Sequence, residues 1–344
     1  MESEQKQDGY EYMVYVRCST YNQEKYIGDA MTGFAMQCTN FPYVAVIIDD
    51  ASTDGNADVI RSFMDQEFDM KDSSTAYVEH HEYGELQFAR HKTNPNCYFA
   101  AYFLKKNHYQ SNTPKVNYII HWHKISKYLA FCEGDDYWTD RNKLQRQVDF
   151  LESHPDYELV FHNAIVRDEI GGNPDRLMKV YQTGDFTIAD LFEKWQLPLA
   201  SIVCRKEVAV SKERRKLFKV WAGGFTFFLG AALRGKTYGF SECWSVYKKN
   251  DGGISNTFSP GYCLKLDLGL AYACEDKEAK ATMDEIAVRR VYNYMPAYYK
   301  KDPKALEMVE VANSFNKEIF QKARKKYFLS LPSRTWGHIK KLFR

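Results

Sequence analysis

The stretch Tyr43–Asp49, YVAVIID, carries no charge until its last residue, and it constrains the chain more than any other feature. A strand with one wet face alternates apolar and polar residues, whereas an unbroken run has both faces covered, as in a parallel sheet packed between helices. The neighbouring segments agree. Residues 12–19 (YMVYVRCS) read as a second strand. Residues 23–37 place Tyr26, Ile27, Ala30, Phe34 and Ala35 on one helical face, and 57–68 (ADVIRSFMDQEF) are helical again. Strand and helix alternate, which predicts an open α/β sheet. Residues 127–133, 143–154 and 157–166 continue the series as strand, helix and strand.

The pattern changes elsewhere. From 69 to 126 the chain is polar and rich in His and Asn, and reads as an insertion over the sheet with one helix at 97–109 (CYFAAYFLKKNHY). After 185, FTIADLFEKW reads as a helix capped by Thr187, ASIVCR as a strand, FTFFLGAAL as a buried helix and YGFSECWSVYKK as a strand. From 261 to 328 the periodicity is helical, with a break at Pro296 and a new start at Asp302 and Pro303.

Charge and cysteine usage narrow the setting. Lys plus Arg (47) nearly balances Asp plus Glu (45), so no overall field points to nucleic acid, and none is expected as a partner. The eight cysteines are scattered, form no C-x-x-C pair and sit mostly in apolar runs, as free thiols in a reducing cytosol do. The first dozen residues are polar and acidic, and no run of about 18 apolar residues occurs, so a cytoplasmic location is expected. Residues 317–344 are basic and amphipathic. They read either as a packed helix with a solvated face or as a peripheral contact at the inner face of a membrane.

In an open α/β sheet, ligands sit at the carboxyl ends of the strands. Three strand ends carry polar turns: STYNQ (19–23), DDASTDG (49–55) and EGDDYW (133–138). Glu133, Asp135 and Asp136 place like charges together, which calls for something positive nearby. A divalent Mg²⁺ or Mn²⁺ takes carboxylate oxygens and neutralises a diphosphate as a sugar–phosphate bond breaks, and Asp135 and Asp136 can supply them. Asp50 can accept the N3 hydrogen of uracil, and Tyr21 can pack on the ring. Each turn alone has an ordinary reading, with Ser52, Thr53 or Asp54 capping a helix, or 133–138 as a solvated turn. The joint arrangement favours a nucleotide site. His80, His81, His91, His121 and His123 match no standard zinc spacing, and neither G-x-G-x-x-G nor a Walker loop is present.

The segments STYNQEKYI, IIDDASTDG and YLAFCEGDDYWTDRNKLQRQVDFLESHPDYELVFHN resemble, in that order, the family 2 glycosyltransferases of the bacterial polysaccharide type. FTIADLF, PLASIVCRKE and GKTYGFSECWSVYKKNDGGIS extend the resemblance over 12–255. It implies a GT-A fold, a Rossmann-like, mostly parallel sheet flanked by helices, with a helical C-terminal extension over 261–344. It also implies an inverting, metal-dependent transfer from a nucleotide-diphosphate sugar, UDP-linked, to a glycan or lipid-linked acceptor, using Mn²⁺ or Mg²⁺. By the same resemblance Ser19, Tyr21 and Asp50 contact the nucleoside, Asp135 lies near ribose and metal, and Asp136 coordinates the cation. Glu133 stands where many members carry an Asp.

Two positions depart from the family. Its usual catalytic Asp precedes a buried helix, but the matching stretch is WAGGFTFFLGAALRGK, with Gly224 or Phe225 at that place. Asn250 stands where related sequences often have His. No Asp or Glu occurs between Glu213 and Glu242, so Asp251 is the nearest later candidate base apart from Glu242. The competing expectation is a catalytically impaired nucleotide-sugar-binding or scaffold protein. A nucleotidyltransferase is a third reading, without a Gly-rich phosphate loop to support it.

Overall fold

The computed structural model describes residues 9–179, 182–193, 198–251 and 257–331. Strand β1 (Tyr12–Thr20), helix α1 (Ile27–Ala35), β2 (Tyr43–Asp49) and α2 (Asn56–Glu67) form the opening alternation that the sequence predicts. Strands β3 (Ala76–His81), β4 (Gly84–Arg90) and β5 (Cys97–Leu104) precede α3 (Val116–Ile125) and β6 (Ser126–Phe131). Then come β7 (Tyr137–Trp138), α4 (Lys143–Ser153), the long β8 (Tyr157–Asp168), β9 (Arg176–Leu177) and β10 (Gly184–Phe186). Helix α5 (Ile188–Glu193), β11 (Val203–Arg205), α6 (Glu207–Val210), α7 (Lys212–Phe218), α8 (Phe225–Ala232) and β12 (Lys236–Lys249) follow. Four helices close the described chain: α9 (Pro260–Cys274), α10 (Lys277–Tyr298), α11 (Pro303–Phe315) and α12 (Lys317–Ser330).

The strands form one mixed sheet in the order β10-β12-β8-β11-β6-β1-β2-β5-β4-β3, with β7 on β12 and β9 on β8. Its centre, β6-β1-β2-β5, is parallel. Every residue of β2 is buried, as its unbroken apolar run requires of a strand with helices over both faces. The expected helix at 97–109 is instead strand β5 over Cys97–Leu104, paired with β2 on one side and β4 on the other. An apolar run of that length suits a buried strand as well as a buried helix, and the neighbouring strand edge decides between them. Residues 76–104 therefore widen the sheet rather than lie over it.

Chain contacts divide the molecule into two compact units. The first holds the described residues of 1–185, 196–211 and 230–250, and contains the central sheet. The second holds the described residues of 186–195, 212–229 and 251–344, with α9–α12 packed together and α5 against α10. Its helix ends follow capping chemistry. Thr187 and Asp190 cap α5 reciprocally, the Thr hydroxyl accepting from the Asp190 amide and the carboxylate from the Thr187 amide. Asp302 accepts from the amides of Lys304 and Ala305 ahead of Pro303, where the sequence places a new helix. Pro296, expected to break the helix, lies inside α10, which runs on to Tyr298. In a last turn the ring removes a single amide bond and the helix ends before more are lost.

The eight cysteines are free. No helix among the described residues is long and apolar enough to cross a membrane. Helix α12 covers the first half of the basic tail, and residues 332–344 lie outside the described residues.

Candidate functional site

Parallel register brings three strand ends to one edge of the sheet. Thr20 of β1 stands opposite Asp49 of β2, and Arg17 of β1 opposite Phe131 of β6. Backbone bonds then tie the turns together: the Asp50 amide donates to the Thr20 carbonyl (3.0 Å) and the Gly134 amide to the Ser19 carbonyl (3.0 Å). Gly134 is required here, because a Cβ would stand 2.7 Å from Thr20 Cβ and 2.5 Å from Gln23 Oε1. The turn 20–24 also clasps 52–55. Asn22, at φ +52°, receives the Thr53 amide on its side-chain oxygen (2.7 Å), and its own amide donates to Ser52 Oγ (2.9 Å). Asn tolerates this left-handed geometry better than most residues.

Asp49, which ends β2, and Asp50, which follows it, are both satisfied by protein. Asp49 accepts from the Ser52 hydroxyl and from Asn56 Nδ2 (2.7 Å), and burial raises its pKa. Asp50 is only 2% exposed. It accepts from the amides of His108 (2.8 Å) and Tyr109 (3.1 Å) and from Lys115 Nζ (2.8 Å). Sequence reasoning assigned Asp50 to a base, and in this structure the segment after β5 holds its carboxylate. Tyr21 is 38% exposed at the same edge, as a stacking residue would be. Ser19 is half-buried, and its amide faces Glu133 Oε2 at 3.3 Å.

The three acidic residues of 133–136 have separate partners. Burial raises the Glu133 pKa against the opposing pull of Arg17. Asp135 is half-exposed and accepts from Asn250 Nδ2 at 2.9 Å. Asp136 is 5% exposed, and its Oδ1 accepts from the Lys248 amide of β12 at 3.0 Å. Burial, reinforced by the charge of Asp135, pushes its pKa well above the ordinary carboxylate value. The pairing of β7 with β12, Val246 opposite Tyr137, sets up this contact. Lys248 itself is buried, with its Nζ 2.6 Å from Asp29 and 5.0 Å from the ring centres of both Tyr26 and Tyr137.

These contacts divide the expected metal set of Glu133, Asp135 and Asp136 among different protein partners. Among the described residues no three His, Cys, Asp or Glu side chains stand close enough to hold an ion by themselves. The buried Asp136 gives its Oδ1 to a backbone amide, and Glu133 faces the Ser19 amide. Asp135 alone combines exposure with a side-chain partner that can yield. A cation of the Mg²⁺ or Mn²⁺ type fits only where one or two carboxylates share it with ligand phosphates and water.

Asp251 is exposed, one residue after Asn250. Gly224 precedes α8, and Phe225 opens that helix buried, 5.5 Å from the ring of Phe192. Lys115, Arg17 and Lys248 were missed in the sequence. Lys248 had a signal, because it shares the inward period of Trp244 and Val246 on β12. Lys115 had none, being one lysine in a polar insertion. A separate cleft of about 910 Å³, lined by Cys38, His91, Asn94 and Arg141 among others, opens where β2 and β5 begin, away from these turns.

No family model matches the chain. Uncharacterized proteins of Mycobacterium bovis and Mycobacterium tuberculosis are 26% identical over 238 residues, 68% of this chain. The match spans 58% of the length of these relatives. S. aureus TarS (residues 1–349) in complex with UDP-GlcNAc superimposes with a TM-score of 0.56 at 14% identity, over 93% of each chain. TarS 1–349 without a named ligand gives 0.54 at 13% identity. The chain has a mixed α/β fold shared with these structures, a central sheet flanked by helices and a helical C-terminal region.

Proposed function

We propose that this chain is a glycosyltransferase that takes a nucleotide-diphosphate sugar, UDP-linked, as donor and transfers the sugar with inversion to a glycan or lipid-linked acceptor. The observation that carries this reading is the meeting of Ser19, Tyr21, Asp50 and Asp135 at the carboxyl edge of the parallel strands. Such an edge is where open α/β sheets bind ligands. The shared fold with a UDP-GlcNAc-bound TarS supports the same assignment. In this reading Tyr21 packs on the base, Asp50 accepts its N–H, and of the expected Glu133, Asp135 and Asp136 it is Asp135 that holds the cation. A bound Mn²⁺ or Mg²⁺ would neutralise charge developing on the diphosphate. The chain's own contribution is to fix Asp135 through Asn250 and to keep Asp136 buried behind it. A membrane contact through 317–344 remains part of this proposal, as does a cytoplasmic site of action.

A thermal-shift screen of nucleotide sugars with and without Mn²⁺ tests the donor, because a ligand at about 100 times its dissociation constant adds ~2.7 kcal/mol. No shift with any nucleotide sugar overturns the reading. A second reading, donor binding without turnover, is favoured by the absence of Asp and Glu between Glu213 and Glu242. A positioned base typically contributes about 10² to 10⁴ in rate. Transfer that is robust in the wild type and lost in Asp251→Asn would place the base at Asp251 and discard the second reading.

A further inference from the structure

The donors found on Asp50 all come from one segment, residues 107–115, and that segment is largely built on itself. Asn107 Oδ1 accepts from the Gln110 amide (2.7 Å), and the Asn107 carbonyl accepts from both the amide and the hydroxyl of Ser111 (3.2 and 2.8 Å). The Thr113 amide returns to the His108 carbonyl at 2.8 Å. It is joined to the sheet at Asp50 and to α3 through His108 Nδ1 and the Tyr118 hydroxyl (2.7 Å). Tyr109 on its outer side is 67% exposed.

We propose that residues 107–115 are a latch closed on Asp50, bolted by Lys115, and that a uracil-type base binds by displacing it. This rests on the reading of Asp50 as the base acceptor given above. A carboxylate offers about four acceptor positions, and the latch takes three of them. The remaining one is of no use to a base while the segment covers the group so completely. A base edge brings one imide donor and cannot replace three, so opening needs a second home for the lysine. Water provides it once the segment leaves Asp50, since a released ammonium on a long stem is readily hydrated. A closed state that costs base affinity lowers apparent binding by the fraction of open protein.

The test uses the full chain and uridine, which lacks phosphates and so isolates the base from any attraction between Lys115 and a diphosphate. Calorimetry should show Lys115→Met binding uridine about fivefold or more tighter than wild type, with Lys115→Arg close to wild type. Equal or weaker uridine binding by a folded Lys115→Met overturns the latch. A second measurement needs no variant. Saturating uridine should speed tryptic cleavage of wild type at Lys105 and Lys106, both exposed where the segment leaves β5. Protection or an unchanged rate overturns the latch even if Lys115→Met fails to fold. Wild-type protein that binds neither uridine nor UDP removes the base-acceptor reading and the latch together, whereas uridine binding with no gain in Lys115→Met removes the latch alone.

Discussion

Asp50 follows one parallel strand and Asp135 another, yet Asp50 is sealed under three protein donors while Asp135 is half-exposed with one, the Asn250 amide. Both lie on strand-end turns in a sequence stretch that reads equally well as a ligand turn. The difference is where the compensating charge comes from. At Asp50 the chain supplies its own cation, Lys115, so the carboxylate already contributes to holding residues 107–115 in place. At Asp135 no protein cation is paired with the carboxylate among the described ion pairs, and its near neighbour Asp136 has a raised pKa instead. A group satisfied by its own fold supports stability, and one left partly unsatisfied is available to a ligand.

The largest effect that could break this comparison is on stability. Asp50→Ala leaves the Lys115 ammonium, only 14% exposed, without its carboxylate, and removing one partner of a buried pair costs about 3 kcal/mol. Urea unfolding should show that loss as a lower midpoint with an unchanged slope. A midpoint within experimental scatter of wild type would mean that the pair contributes nothing and that Asp50 is as available as Asp135.

Asp135→Asn should act on binding instead. The expected result is loss of about 100-fold, roughly 2.7 kcal/mol, in Mn²⁺-dependent affinity for a UDP-sugar, with little change in unfolding. Calorimetry with and without Mn²⁺ measures it. Asp136→Ala should do the reverse, leaving the buried Lys248 amide without its acceptor at a cost of about 1–3 kcal/mol. If Asp136→Ala removes the Mn²⁺-dependent part while unfolding is unchanged, the roles of the two neighbours are exchanged.

Much of the fold was legible because it rests on period and breaker residues. The unbroken run of β2, the helical spacing of α1 and α2, and the Asp302–Pro303 start all carry local signals. β5 was misread because an apolar run of eight residues does not reveal its partner strands, and Pro296 because a proline near a helix end is cheap. At the site, the turns themselves were visible as clustered Asp, Ser and Thr. What the sequence hid was which protein groups each carboxylate meets. Asp135 and Asp136 differ only in which one faces the β12 backbone, a fact set by the pairing of β7 with β12 across more than a hundred residues. Lys115 reaches Asp50 from 65 positions away, and no local pattern encodes such a pair.

The smallest predicted effect probes the inner side of the 133–138 turn, where the same contrast is drawn in a lysine. Lys143 opens α4 fully buried, its Nζ 2.7 Å from Gln147 Oε1 and 4.2 Å from the centre of the Trp138 ring. Burial lowers its pKa from 10.5 to about 7. Between those values the unfolded chain holds the proton and the folded chain does not, so this lysine makes stability rise with pH above about 7, and the contribution is absent below. With a folded pKa near 7 the gain between pH 7 and 8 is about 1 kcal/mol. Replacing the lysine by methionine removes the titrating group, so the difference in unfolding free energy between wild type and Lys143→Met should change by that amount across the interval. A difference that stays constant from pH 7 to 8 would mean that Lys143 stays charged in the fold, paired as Lys115 is, and that burial beneath the turn does not exclude a cation.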